Sequence, residues 1–180
     1  MTSAKPAYTS GTPDTLTNML RHAVANAGDE VFLDIEGDTL TYAEFDRRSN
    51  RMSHALAELG VRKGEPVVSL TETHLDTLGI WFAIVKQGAI WIPINLAYRQ
   101  EFLRHQIVDT GAKLVICDAA YLDRIVELAD KLPSVKRILC RGADAPFPDC
   151  AIQIEPFENY RGTNDSPVEV DIKPSDLGAL

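Results

Sequence analysis

Between Val67 and Cys140 the chain alternates short apolar runs with helix-length periodic stretches, and this alternation limits its fold more than any other feature. Val67-Val68-Ser69-Leu70, Ala89 to Ile94, Leu114-Val115-Ile116-Cys117 and Arg137-Ile138-Leu139-Cys140 are short, apolar and rich in β-branched residues, so they read as buried strands. Helices are expected from about His74 to Gln87, from about Arg99 to Thr110 and from about Ala120 to Leu132, stopping at Gly88, Gly111 and Pro133. The middle of the first is apolar almost all round through Leu75, Leu78, Ile80, Trp81, Phe82, Ile84 and Val85, so it should be covered on most sides. Strand, helix, strand in strict succession is the pattern of a parallel sheet flanked by helices. The fold class is therefore α/β, a doubly wound, mostly parallel sheet.

Two further elements precede this series. Val31 to Ile35 alternates apolar and polar residues, Glu36-Gly37-Asp38 is a turn cluster, and Thr39 to Tyr42 resumes β-favouring residues, which predicts an N-terminal β-hairpin. A helix follows, opened by Thr41 with Glu44 three residues on: the hydroxyl accepts from a free amide while the carboxylate reaches back to the cap amide. Phe45, Ser49, Met52, Leu56 and Leu59 form its inward stripe, Arg47, Arg48, Arg51 and Glu58 its solvated face, and Gly60 its left-handed exit.

Charge and proline divide the chain. Residues 142–180 hold two basic and eight acidic residues and five of the ten prolines, whereas residues 1–141 are almost charge-balanced. Three parts are expected: a flexible polar tail at 1–15, an α/β unit at 16–141, and a Pro-rich extended stretch with a few short strands at 142–180.

Several function classes fall away on composition. The net charge of −8 and the lack of any basic stripe argue against a nucleic-acid partner. No apolar run approaches the roughly 20 residues that span a bilayer, and the N-terminus has neither a secretory nor a transit pattern, so no transmembrane segment and a cytoplasmic location are expected. Cys117, Cys140 and Cys150 are an odd number at spacings that fit neither a disulfide framework nor a zinc site, and read as reduced thiols. His22, His54, His74 and His105 share no ligand spacing, so no metal residue is expected. Tyr8-Thr9-Ser10-Gly11-Thr12 has the hydroxyls and glycine of a phosphate loop, but Pro13-Asp14 follows and neither a lysine nor a preceding strand accompanies it; it reads as tail. Asp76 reads as a helix-start acid meeting free amides near Thr73. No nucleophile elbow, dinucleotide fingerprint or Cys-x-x-Cys is present, and no catalytic residue is assigned.

Three segments together resemble a known family. Leu40-Thr41-Tyr42-Ala43-Glu44-Phe45, with Asn50-Arg51 and Leu59-Gly60-Val61-Arg62-Lys63-Gly64-Glu65 behind it, is similar to the first core motif of the adenylate-forming enzymes. Val85-Lys86-Gln87-Gly88-Ala89-Ile90-Trp91-Ile92-Pro93-Ile94-Asn95 resembles the second, and Asp109-Thr110-Gly111-Ala112-Lys113-Leu114-Val115-Ile116 the element that comes next. The resemblance runs from about Leu16 to Cys140 and implies the N-terminal subdomain of the adenylate-forming fold. Asn95, Ala97-Tyr98-Arg99 and Glu101-Phe102-Leu103-Arg104-His105 look more like acyl-CoA synthetases of the fatty-acid or carnitine type than amino-acid-activating domains, which more often carry Asp in place of Asn95.

The activity that this resemblance implies is an ATP-dependent, AMP-forming acyl-CoA ligation: a carboxylate gives an acyl-adenylate, then coenzyme A takes the acyl group as a thioester. ATP, Mg2+ and coenzyme A are the implied cofactors of the full-length enzyme, and a small carboxylic acid, the remainder of the same polypeptide and a homo-oligomer the implied partners. Lys173-Pro174-Ser175-Asp176-Leu177 resembles the lead-in to the family's phosphate loop, which is then expected beyond Leu180, so the 180 residues alone are expected to be inactive and to bind none of these cofactors tightly. The resemblance implies a phosphate contact with coenzyme A at Lys86; the competing reading, a cation at a helix C-terminus, carries more weight. Trp81 and Phe82 stand between an acyl pocket and the core, with the core preferred. Two other functions remain open: a non-catalytic binding or interaction module on the same scaffold, and a fragment of an amino-acid or aryl-acid adenylation domain.

Overall fold

The computed structural model describes residues 15–180. The Tyr8–Thr12 segment lies outside the described residues, with most of the tail expected at 1–15. Thr15 is described and is not tail: it is buried, and its hydroxyl caps helix α1 (Leu16–Ala27) by accepting from the Asn18 amide at 3.2 Å.

A hairpin of β1 (Val31–Ile35) and β2 (Asp38–Thr41) comes next and forms a separate two-stranded sheet. Helix α2 (Tyr42–Glu58) starts at Thr41, with both reciprocal capping bonds present. The Glu44 amide donates to Thr41 Oγ1 at 3.2 Å, and the Thr41 amide donates to Glu44 Oε2 at 3.1 Å. Then follow β3 (Pro66–Leu70), α3 (Leu75–Lys86), β4 (Ile90–Pro93), α4 (Gln100–Thr110), β5 (Leu114–Asp118), α5 (Ala119–Val126), β6 (Arg137–Arg141) and β7 (Gln153–Pro156).

Strands β3 to β7 form one parallel sheet in the order β4-β3-β5-β6-β7, confirming the α/β class. Alternate residues of each strand serve opposite faces. Val67, Leu114, Ile116 and Leu139 meet Met52 and Leu56 of α2 and Ile80 and Ile84 of α3. Val68, Leu70, Val115, Cys117, Ile138 and Cys140 pack with Leu103 and Ile107 of α4 and Leu122 and Ile125 of α5. A third cluster, centred on Leu20, Leu40 and Phe45, seats α1 and the hairpin on the outside of α2 and α3.

Two expectations change. The helix expected from Ala120 to Leu132 ends at Val126, and a 3-10 turn at Ala129–Lys131 carries the chain on. Leu128, Ala129 and Leu132 are all buried in the same core, which the tighter turn allows them to reach. The sheet also passes the boundary expected at Arg141, since β7 pairs in register with β6, Ile138 opposite Ile154.

From the 3-10 turn Phe157–Tyr160 onward, the chain returns over α2 and α3 as an extended strap held by polar contacts. Asn50 Nδ2 donates to the Asp165 carbonyl at 3.1 Å, Arg51 pairs with the Asp165 carboxylate at 2.9 Å, and Lys63 pairs with Asp176 at 2.6 Å. The strap ends along the free edge of β4, where the Trp91 amide donates to the Gly178 carbonyl at 3.0 Å and the Leu180 amide to the Trp91 carbonyl at 3.1 Å.

Candidate functional site

Strand order locates the most eventful point of the sheet. From β3 the chain leaves through α3 to β4 at one edge, then crosses back over β3 through α4 to reach β5. The connections leaving β3 and β5 thus run in opposite directions, and in open α/β sheets ligands bind beyond the carboxyl ends of strands at such a switch point.

A connected polar group occupies that place. Asp118, the last residue of β5, lies opposite Arg141 in the parallel register, and Arg141 Nε donates to Asp118 Oδ1 at 2.8 Å. The other Asp118 oxygen accepts from the Glu72 amide just after β3, also at 2.8 Å. Tyr121 donates its hydroxyl proton to Glu72 Oε1 at 2.6 Å, while Arg124 stacks 4.7 Å from the centre of the Tyr121 ring and donates to the Leu96 carbonyl. The hydrogen bond to Glu72, reinforced by burial and by the Glu72 charge, raises the Tyr121 pKa, so this hydroxyl stays a donor.

Asp76, in the first turn of α3, closes the group on its other side. Its two oxygens accept from Arg161 at 3.0 and 3.1 Å in a two-pronged pair, and Arg141 Nη1 lies 3.7 Å away. Burial opposes ionisation of Asp76, but the Arg161 bonds and the positive charges of Arg161 and Arg141 outweigh it, and the pKa is held below the ordinary aspartate value. The helix-start role expected for Asp76 therefore falls to His74, whose Nδ1 accepts from the Asp76 amide at 3.2 Å. Asp76 itself ties α3 to the strap.

Lys86 sits at the other end of α3, and its ammonium points inward. The residue is 2% exposed and donates to Asp46 Oδ1 at 2.8 Å, Ser49 Oγ at 2.7 Å and Asn50 Oδ1 at 2.6 Å, with the Asp46 carbonyl at 3.2 Å. An ammonium has three donors, so none is left here for a coenzyme A phosphate. Burial lowers the Lys86 pKa, and the bond and charge of Asp46 recover only part of that shift. Beside it, Gln87 Nε2 donates to the Ser53 carbonyl and hydroxyl at 2.9 and 3.0 Å, extending one polar seam between α2 and α3.

The other candidates settle into structural places. Trp81 stacks on Trp91 with ring centres 5.0 Å apart, and Phe82 meets Phe45 edge-on at 5.0 Å, so both belong to helix packing. His54 Nε2 lies 3.0 Å from the Ser166 carbonyl on the strap, and His105 pairs with Asp109 one turn on at 2.9 Å. Cys117 and Cys140 are buried register partners, and the neighbouring Cys140 thiol together with burial raises the Cys117 thiol well above its ordinary value. Among the described residues no cluster of His, Cys, Asp and Glu has metal-binding geometry, and no helix is long and apolar enough to cross a membrane. Sequence reasoning missed the switch-point group because its members are scattered from Glu72 to Arg161; the usable signal was the acidic or basic residue closing each of β5 and β6.

This sheet order, with its switch point, is that of a doubly wound α/β fold. The chain belongs to the AMP-binding enzyme family, whose model matches residues 20–179. Gramicidin S synthase 2 of Brevibacillus brevis is 27% identical over 162 residues, which is 88% of this chain and 4% of that protein. A medium/long-chain-fatty-acid–CoA/3-oxocholest-4-en-26-oate–CoA ligase of Mycobacterium marinum is 28% identical over 124 residues, 69% of this chain and 22% of that one. The chain thus spans less than a quarter of the length of these relatives. Among solved structures, apo MbtA of Mycobacterium smegmatis superposes with a TM-score of 0.79 at 24% identity, covering 92% of this chain and 30% of that one. A long-chain-fatty-acid–CoA ligase of Archaeoglobus fulgidus gives 0.78 at 17% identity, covering 93% and 34%. At these identities the structural likenesses establish the fold.

Enzymes of this family use ATP, but the described residues do not fit a triphosphate with its metal. Such a group needs converging amides, a cation and an acid open to Mg2+. At the switch point Asp118, Glu72 and Asp76 already accept hydrogen bonds from Arg141, Tyr121 and Arg161, and no lysine is among these contacts.

Proposed function

We propose that the chain supplies the N-terminal α/β framework of an AMP-forming acyl-CoA ligase and does not by itself adenylate. In the whole enzyme a carboxylate would displace pyrophosphate from ATP to form an acyl-adenylate, and the thiol of coenzyme A would then displace AMP. AMP leaves where oxide would not, which is why activation must precede thioester formation. The described residues would brace the floor of that centre and contribute no reacting group.

One observation carries this reading: Asp118 and Asp76 at the switch point are both held by arginines, Arg141 and Arg161, so the sheet end is a cross-braced platform whose acids are already engaged. The fatty-acid side of the proposal draws on the mycobacterial CoA ligase relatives and on Asn95 with the segment after it. The family match over 88% of the chain to a gramicidin S synthase favours a second reading, in which the activated acid is an amino acid and the acceptor is not coenzyme A.

ATP–pyrophosphate exchange separates these ideas. The 180-residue chain should give no exchange with any acid, and robust exchange would overturn the framework role. If its gene encodes a longer product, that product should exchange with medium-chain and long-chain fatty acids; exchange confined to amino acids would replace the ligase reading with the second one.

A further inference from the structure

A cleft of about 380 Å3 opens between α2, the first half of α3 and the 3-10 turn Phe157–Tyr160 with the start of the strap. Its size falls within the range of about 300–1,000 Å3 typical of small-molecule sites. Its floor is apolar: Phe45 and Ile80 are each 1% exposed, Phe157 3% and Met52 5%. Three arginines, Arg48, Arg51 and Arg161, line it against a single acid, Asp76.

The positive charge is only partly spent. Arg161 is committed to Asp76 through the two-pronged pair. Arg51 gives Nη2 to Asp165, but its Nε is buried without an acceptor among the described residues. Arg48 forms no ion pair among the described residues. An acceptor oxygen arriving between Arg48 and Arg51 would meet an exposed cation with no partner and a buried N–H with no acceptor, and only the second is costly to leave so.

Glycine keeps the space open. Gly79 lies inside α3, where glycine costs about 1 kcal/mol relative to alanine, and a Cβ built there meets nothing within 4 Å. Across the cleft, Gly162 has φ +64, and a Cβ on it would lie 2.6 Å from the Arg51 carbonyl oxygen, so that wall is fixed by close backbone approach.

We propose that this cleft, which shares Asp76 and Arg161 with the switch-point group, is a binding site for an organic monoanion with an apolar body, an acyl or aryl carboxylate. The apolar body lies on Phe45, Ile80 and Phe157, and the carboxylate faces Arg48 and Arg51, whose planar guanidinium groups match its two oxygens. A bare phosphate would meet the cations and waste the floor; a neutral alcohol would do the reverse.

Isothermal titration of the 180-residue chain with sodium octanoate and with sodium benzoate, in the absence of ATP and Mg2+, tests this independently of any ligation. At least one should bind saturably at one site, and the tighter of the two tells whether the body is acyl or aryl. Gly79→Leu fills the cleft and favours the helix, so it should weaken binding at least about tenfold without lowering the melting temperature. Arg48→Gln, on the exposed face of α2, should weaken it several-fold. No saturable binding of either carboxylate, octanol binding as tightly as octanoate, inorganic phosphate competing equally, or an unchanged affinity in folded Gly79→Leu would each overturn the proposal.

Discussion

Replacing Lys86 with methionine removes a buried ammonium while keeping nearly the same volume, and the structure fixes what is left behind. Breaking a buried ion pair from one side costs about 3–5 kcal/mol. Asp46 is 25% exposed on its side chain, so water can partly replace the lost cation and the lower end, about 3 kcal/mol, applies. Asn50 and Ser49 are 3% and 0% exposed, and the loss of their donor adds about 1 kcal/mol. At about 2–4 °C per kcal/mol for a chain of this size, Lys86→Met should melt about 8–16 °C lower, with a proportionate fall in the urea midpoint followed by tryptophan fluorescence. Asp46→Leu should be destabilised in its turn, because it strands the ammonium. The double variant should be more stable than the sum of the two losses by at least about 2 kcal/mol, since burial already costs Lys86 more than Asp46 returns. A Lys86→Met melting temperature within 2 °C of the parent, or strictly additive losses, would refute the view that this residue is an internal tie.

At the switch point, Asp118→Ala leaves Arg141, whose side chain is 17% exposed, without its register partner and the Glu72 amide without an acceptor; urea unfolding should show a loss of about 3 kcal/mol, and a change below 1 kcal/mol would dismiss the platform. The acid limb of stability should report Asp76. Its pKa is lower folded than unfolded, so its contribution is complete above the ordinary value of 3.8 and is lost as pH falls through the folded value. The stability gap between the parent and Asp76→Asn should therefore shrink between pH 6 and pH 2.5, and a gap constant over that range would contradict the Arg161 pairing.

Most of the sheet could be read in advance because its strands are buried on both faces, and so are continuous apolar words bounded by glycine. The cap at Thr41 and Glu44 was equally plain, being a contact between residues three apart. The early end of α5 was not, because Glu127 and Leu128 have acceptable helix propensity and only the pull of Leu128 and Leu132 into the core decides the turn. The helix-end place of Lys86 was legible, but its partners were not. Asp46, Ser49 and Asn50 come within its reach only when α2 packs on α3. Asp76 and Arg161, 85 residues apart, share no local signal, and their pairing follows from the path of the strap.

The strap's last residues run beside Trp91, and at the opposite margin of the sheet Pro156 closes a strand of only four residues. Pro93 likewise denies β4 an amide at its end. A row of unpaired amides and carbonyls is an invitation to a second molecule's strand; here one row is already answered from within the chain and the other is brief and interrupted. Self-association by edge-to-edge pairing of strands is thereby discouraged at both margins.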